Sequence, residues 1–264
     1  MVHQYHPGLP AAMNIPAVLK DPDHKANTVD SQDGMERGGG TSMEGNMSRF
    51  KTILMPLIIM IVLGAVLFLP AGSFKYWEAW IYWFEFSAMT LFITVYFLKK
   101  NPGLLSRRTK LREKENTRKV PAFLNFYLAG YLVPGLDYRF HWSNVPVWMI
   151  IAANAIVFLG YLFIFFVFKE NSYASTIIQV EKEQQVITTG PYAIVRHPMY
   201  VGLLLMLLFT PLALGSYWAI IPFLLCIPLN VIRIIIEEEV LLRDLPGYKN
   251  YCLKTRYRLI PLIW

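Results

Sequence analysis

Ile53-Leu54-Met55-Pro56-Leu57-Ile58-Ile59-Met60-Ile61-Val62-Leu63-Gly64-Ala65-Val66-Leu67-Phe68-Leu69-Pro70 runs through eighteen residues without a charge. Wound as a helix rising 1.5 Å per residue, it reaches roughly 27 Å, close to the hydrocarbon thickness of a bilayer. The composition of the whole chain agrees with a membrane reading. Of 264 residues, 55% are hydrophobic and only 16% are charged, where a soluble domain carries about 25% charged residues. Too little polar surface remains to cover a water-soluble globule of this size, and the same figures exclude disorder along the whole chain. Cys226 and Cys252 form neither a disulfide framework nor a CxxC pattern.

N-terminal to the apolar run, residues 1–47 read differently. They hold three basic and six acidic residues and the turn-rich stretch Gly38-Gly39-Gly40-Thr41-Ser42. This predicts a disordered tail, because no apolar surface is available to offset the ordering entropy. His3, His6 and His24 lie here at spacings that match no familiar ligand set, so no metal is expected. A net charge of −3 on this tail against +7 in total leaves +10 on residues 48–264.

C-terminal to it, residues 48–168 divide into four apolar segments. The second, Trp77 to Leu98, opens on the interfacial aromatics Tyr76, Trp77, Trp80 and Trp83 and contains Glu78 and Glu85. Glu85 lies deeper than Glu78, and an ionisable group at such depth serves either function or helix packing. Residues 99–119 carry nine basic and two acidic side chains, which marks the 99–120 loop as cytoplasmic. Nucleic-acid binding is not expected, since no interleaved aromatics or motif accompany the charge. Pro121 to Leu136 gives a short segment and Val145 to Phe168 a full-length one.

Residues 169–264 carry the chemistry. Met199 to Ile236 is mostly apolar, with Pro211, Gly215 and Ser216 in its middle, which predicts a helical hairpin over 199–236 with a short first arm. The expected fold is therefore an all-α polytopic bundle of about six membrane segments. Positive-inside bias puts both termini on the cytoplasmic side. Before the hairpin, 175–180 and 185–189 are short β-branched runs flanking a turn at 181–184, which predicts a small β-like excursion. Pro198 stands where proline opens a helix. Arg196 and His197 at its mouth suit either an anionic ligand or lipid phosphate. Arg233 and Glu237, four residues apart, share one helix face, as an ion pair or as the wall of a polar cavity. Antiparallel hairpin arms bring His197–Tyr200 and Arg233–Glu237 to the same membrane face, and the two clusters are expected to form one site.

Thr188-Thr189-Gly190-Pro191-Tyr192, Arg196-His197-Pro198-Met199-Tyr200, Arg233 with Glu237-Glu238, and Gly247-Tyr248 with Tyr251 together resemble the isoprenylcysteine carboxyl methyltransferase family. Tyr257-Arg258-Leu259-Ile260-Pro261 and Asn101-Pro102-Gly103-Leu104-Leu105 with Arg107-Arg108 suit its bacterial members. The likeness covers 179–261 well, the upstream spans loosely and 1–47 not at all. It implies an integral-membrane, S-adenosylmethionine-dependent methyltransferase acting on a lipid-like or prenylated acceptor delivered through membrane lipid. It also implies a cytoplasmic cofactor site built from Gln179, Gln184, Gln185, Val186, Ile187, Tyr192, Arg196, His197, Pro198, Met199, Tyr200, Glu237 and Glu238. Arg233 would face the acceptor as the catalytic residue. Phospholipid or amine methylation is a variant of this reading. A membrane reductase of the sterol type, which would use NADPH, shares a similar Gly-Pro-Tyr…Arg-His-Pro segment, and a transporter or scaffold using Glu85, Asp137 and Arg139 is the non-enzymatic alternative.

Overall fold

The computed structural model describes the backbone of residues 37–108 and 120–264, and the side chains of 54–108 and 127–264. Residues 1–36, with the three histidines, and most of the basic loop, 109–119, lie outside the described residues. Two compact units divide at Met43/Glu44, and everything below concerns the second, Glu44–Trp264.

All regular structure in the described residues is helical. The helices are α1 (Arg37–Ala71), α2 (Trp77–Lys100), α3 (Pro102–Arg108), α4 (Val120–Phe140), α5 (Val147–Glu170), α6 (Pro198–Ala213), α7 (Ile220–Asp244) and α8 (Tyr248–Lys254), with a 3-10 turn at Gly190–Ala193. Four of these are long and apolar enough to cross a membrane: α2, α5, α7 and the Leu54–Ala71 part of α1. With α4 and the shorter α6 they supply the six expected segments. Each helix stops where the sequence withdraws support. Asn101-Pro102 ends α2, and α6 opens on Pro198 as its first residue, where the missing N–H costs nothing.

Several boundaries depart from expectation. α1 begins at Arg37, inside the stretch expected to be a tail, because an established helix extends at one hydrogen bond per added residue. α7 runs eight residues beyond Ile236 to Asp244. Its polar end stays helical because one face, including Glu238 and Val240, is buried. The β-like excursion is corrected outright, since residues 171–189 form no strand. Their carbonyls go to side chains instead: Arg107 and Arg108 donate to Ser172 and Ser175, and Arg233 donates to Thr176. The expected turn is present, with the Gln184 N–H bonded to the Glu181 carbonyl at 3.1 Å.

The most extensive helix pair is α5 against α6. A Cβ at Gly202 would lie 2.6 Å from Ile164 Cγ1 and 3.0 Å from the Gly160 carbonyl oxygen. A Cβ at Gly160 would lie 3.1 Å from the Gly202 carbonyl oxygen. Two glycines thus let the backbones touch, which is how membrane helices gain dispersion without a hydrophobic driving force. At the hairpin end of the bundle, Asp137 accepts from Ser143 N (2.7 Å), Ser143 Oγ (2.6 Å) and Ser216 Oγ. That staple ties the end of α4 to the α6–α7 turn, where Gly215 takes φ +69°. Because α6 and α7 are antiparallel, the start of α6 and the end of α7 meet at the opposite end of the bundle.

Candidate functional site

At that opposite end lies an open cavity enclosing about 870 Å3 of space between atoms, its solvent-filled mouth included. Three stretches form it: the irregular 171–187 segment, the 192–200 turn into α6, and the α7–α8 corner. Gly247, at φ +84°, lets the chain reverse between α7 and α8. This carries Tyr248 and Tyr251 back over the cavity, packed with Val186 and Leu245.

Tyr200 joins the two arms of the hairpin. Its hydroxyl donates to Glu237 Oε2 at 2.9 Å and accepts from Arg233 Nε at 3.1 Å. Arg233 also donates through Nη2 to the Thr176 carbonyl. The ring of His197 is buried between two glutamates, with Nδ1 3.8 Å from Glu237 Oε1 and Nε2 3.3 Å from Glu238 Oε1. Arg233 and Glu237 therefore share one face as the spacing demanded, and a phenol from the other arm bridges them. The two polar clusters do converge.

Gln179, Gln184, Gln185, Val186, Ile187, Tyr192, Arg196, His197, Pro198, Met199, Tyr200, Arg233 and Glu237 all line the cavity. Gln179 and Gln184 also brace the turn: Gln179 Nε2 donates to Glu181 Oε1 at 2.6 Å, and Gln184 Oε1 accepts from the Glu181 N–H at 2.9 Å. Glu238 departs from expectation, because it does not line the cavity. Successive helix residues point about 100° apart, and of this pair Glu237 is the one that faces the cavity. Glu238 turns to Arg196 Nε and Arg258 Nε, each at 2.6 Å. Arg196 Nη1 meanwhile donates to the carbonyls of Thr255 and Arg256. Glu238 is the hub that fixes the C-terminal segment beneath α6.

Sequence reasoning missed Asn171, which donates to the Tyr192 hydroxyl at 2.9 Å, and Ser175, Ile177 and Ile178 on the wall. No local pattern announces them, since they belong to an irregular segment held by distant arginines. Tyr251 donates to the Tyr192 carbonyl at 2.7 Å. Burial raises the phenol pKa of Tyr192, and that of Tyr251 to about 12, so both remain neutral donors at physiological pH. Glu85, Asp137 and Arg139 lie elsewhere, and Asp137 is occupied by its serines.

The lining combines one carboxylate, two guanidiniums, side-chain amides and apolar faces. Glu237 is the single carboxylate among the lining residues, three glutamines offer amides for hydroxyls, and Ile177, Val186, Val240, Leu241 and Leu245 give apolar faces. Tyr173, Tyr192, Tyr200, Tyr248 and Tyr251 surround them with rings, which attract positive charge.

Residues 148–246 match the phospholipid methyltransferase family. That span takes in α5, α6, α7 and the irregular segment. Among solved structures, the chain is similar to the eukaryotic intramembrane Ras methyltransferase ICMT (isoprenylcysteine carboxyl methyltransferase). The TM-score is 0.54 at 21% identity, over 90% of this chain and 88% of that one. The likeness to that structure is one of fold. No curated protein matches the chain significantly in sequence.

Proposed function

We propose, starting from this shared fold, that the protein is an integral-membrane S-adenosylmethionine-dependent methyltransferase that esterifies the carboxylate of a lipid-like, isoprenylcysteine-type acceptor. The observation that carries the reading is the Tyr200 hydroxyl, which links a cavity carboxylate, Glu237, to a cavity guanidinium, Arg233. A cation-binding group and an anion-binding group are thus held at fixed separation in one cavity, as a cationic methyl donor and an anionic acceptor require.

S-adenosylmethionine, when bound, supplies a methyl group on a cationic sulfur. Glu237 and the surrounding rings would hold that charge, and Gln179, Gln184 and Gln185 would take the polar groups of the nucleoside. Arg233, fixed by Tyr200 and by the Thr176 carbonyl, would orient the acceptor carboxylate with the geometry of a fork, which a lysine does not reproduce. No general base is needed, because a carboxylate is already ionised at neutral pH. Alignment and exclusion of water do the work, and the apolar wall and the tyrosines provide the exclusion.

The experiment uses the purified full chain in detergent or nanodiscs. S-adenosylhomocysteine raises the melting temperature, since a ligand of the folded state adds stability, whereas NADPH does not. Tritiated methyl label then transfers to a prenylated cysteine and is released as methanol by mild base. Absence of any shift with S-adenosylhomocysteine overturns the reading. A second reading, amine methylation of a phospholipid, is favoured by the family match over 148–246. It predicts label that survives base.

A further inference from the structure

Residues 245–264 carry Lys249, Lys254, Arg256 and Arg258 and no acidic side chain. Lys249, Lys254 and Arg256 are exposed. Arg258 is held by Glu238 at 2.6 Å, and its guanidinium lies over the Trp264 ring, 5.3 Å from the centroid. A one-signed patch of this kind needs a counterpart of opposite charge.

The chain after Arg258 runs beside α6. The Arg196 N–H bonds the Tyr257 carbonyl and the His197 N–H bonds the Arg258 carbonyl. Both stretches advance in the same direction, so the residues after Arg258 continue along the first turn of α6. Leu259 is accordingly buried in one cluster with Tyr200 and Ile234, and Trp264 packs against that cluster. Tyr200 and Ile234 lie within the two apolar arms of the hairpin, so 259–264 sits level with the ends of the spans.

This hook is closed on itself. The Ile263 and Trp264 N–H groups donate to the Ile260 carbonyl at 3.2 and 3.1 Å, and those of Leu259 and Ile260 donate to the Trp264 carbonyl at 2.9 and 3.2 Å. Pro261 has no N–H to satisfy. Irregular backbone tolerates a lipid environment when its polar groups are met within the protein. The side chains point the other way. Leu262 is 86% exposed and Ile263 77%, and among the described residues no large apolar side chain is more exposed than Leu262. Leu262 takes φ +69°, a region bulky residues rarely occupy, so the turn spends an unfavourable conformation on an outward apolar tip.

We propose that residues 254–263 dock into a lipid leaflet rich in anionic headgroups, with Leu262 and Ile263 among the acyl chains and Lys254 and Arg256 among the phosphates. An apolar tip, a tryptophan and flanking cations form an interfacial anchor. A second copy of the chain meeting the tip across a two-fold axis would set the same cations against each other, which opposes association. Docking holds in place the segment whose carbonyls bond Arg196 and His197, whatever ligand the cavity takes.

The test places a fluorophore at the tip of the full chain. Leu262→Cys, in a Cys252→Ser background that leaves only the buried Cys226, is labelled with the environment-sensitive dye NBD and placed in phosphatidylcholine nanodiscs. Lipids spin-labelled on the acyl chain quench the dye, and aqueous acrylamide does not. Fluorescent phosphatidylglycerol is then titrated into nanodiscs holding the unlabelled protein. Lys254→Gln and Arg256→Gln each weaken its binding by about fivefold, as the loss of one charge near the surface predicts. Arg256→Lys, which keeps the charge, retains the parental affinity and decides the matter if the glutamine variant does not fold. Quenching by acrylamide and not by lipid overturns the proposal, as does phosphatidylglycerol affinity unmoved in both glutamine variants. Dye emission that shifts with the number of chains per disc assigns the tip to a second copy and overturns it too.

Discussion

Gly202→Ala tests the most crowded contact in the bundle and needs no assumption about function. The added methyl would sit 2.6 Å from Ile164 Cγ1 and 3.0 Å from the Gly160 carbonyl oxygen. Ile164 is a β-branched side chain with few alternatives in a helix, and the second neighbour is backbone, which moves only if the helix moves. The relief available is separation of α5 from α6 by several tenths of an ångström. Overpacking of this kind costs about 1–3 kcal/mol. For a chain of this length that corresponds to a melting temperature lower by roughly 2–12 °C. The assay is thermal unfolding in one detergent, with Gly103→Ala as the control. The nearest atoms to a Cβ at Gly103 are at 3.5 Å, an ordinary contact, so that variant melts with the wild type or slightly above it. Because α6 also carries His197 and Tyr200, Gly202→Ala weakens S-adenosylhomocysteine binding as well. A variant that melts within 1 °C of the wild type refutes the close-contact reasoning.

Three further outcomes follow from the site. Arg233→Lys lowers kcat/KM for a carboxylate acceptor by about 10- to 100-fold, as the loss of a bidentate ionic hydrogen bond predicts. Its S-adenosylhomocysteine melting shift persists, and a parental rate would remove Arg233 from acceptor binding. Glu238→Gln strips the buried partner from Arg196 and Arg258 and destabilises the protein by about 3 kcal/mol. Thermal unfolding reads this, and limited proteolysis cuts sooner within 255–264. The Tyr251 phenol, raised to about 12 by burial, contributes stability that is full below the unfolded value near 10 and is lost as pH climbs toward 12. The melting temperature therefore falls between pH 10 and 12, while Tyr251→Phe shows a smaller fall over the same range.

Much of this was written in local order. The charge-free run at 53–70, the aromatic start of α2 and the proline at 198 each fix an element through a property of adjacent residues. The convergence of Tyr200 on Arg233 and Glu237 followed from the length of a hairpin alone. What escaped depends on remote partners. The 175–189 segment has strand-like side chains, but its backbone acceptors are claimed by arginines from α3 and α7, so propensity had no say. The orientation of Glu238 turns on which of two successive helix positions faces the cavity, and paired glutamates look identical in a sequence.

The amides of Arg196 and His197 bond the carbonyls of Tyr257 and Arg258, each at 2.9 Å. Some sixty residues are translated between those donors and their acceptors, among them the whole of α7. A chain cut short of Thr255 would lack the strap that bonds the backbone of Arg196 and His197, so the mouth of α6 would lose the support on which the cavity rests.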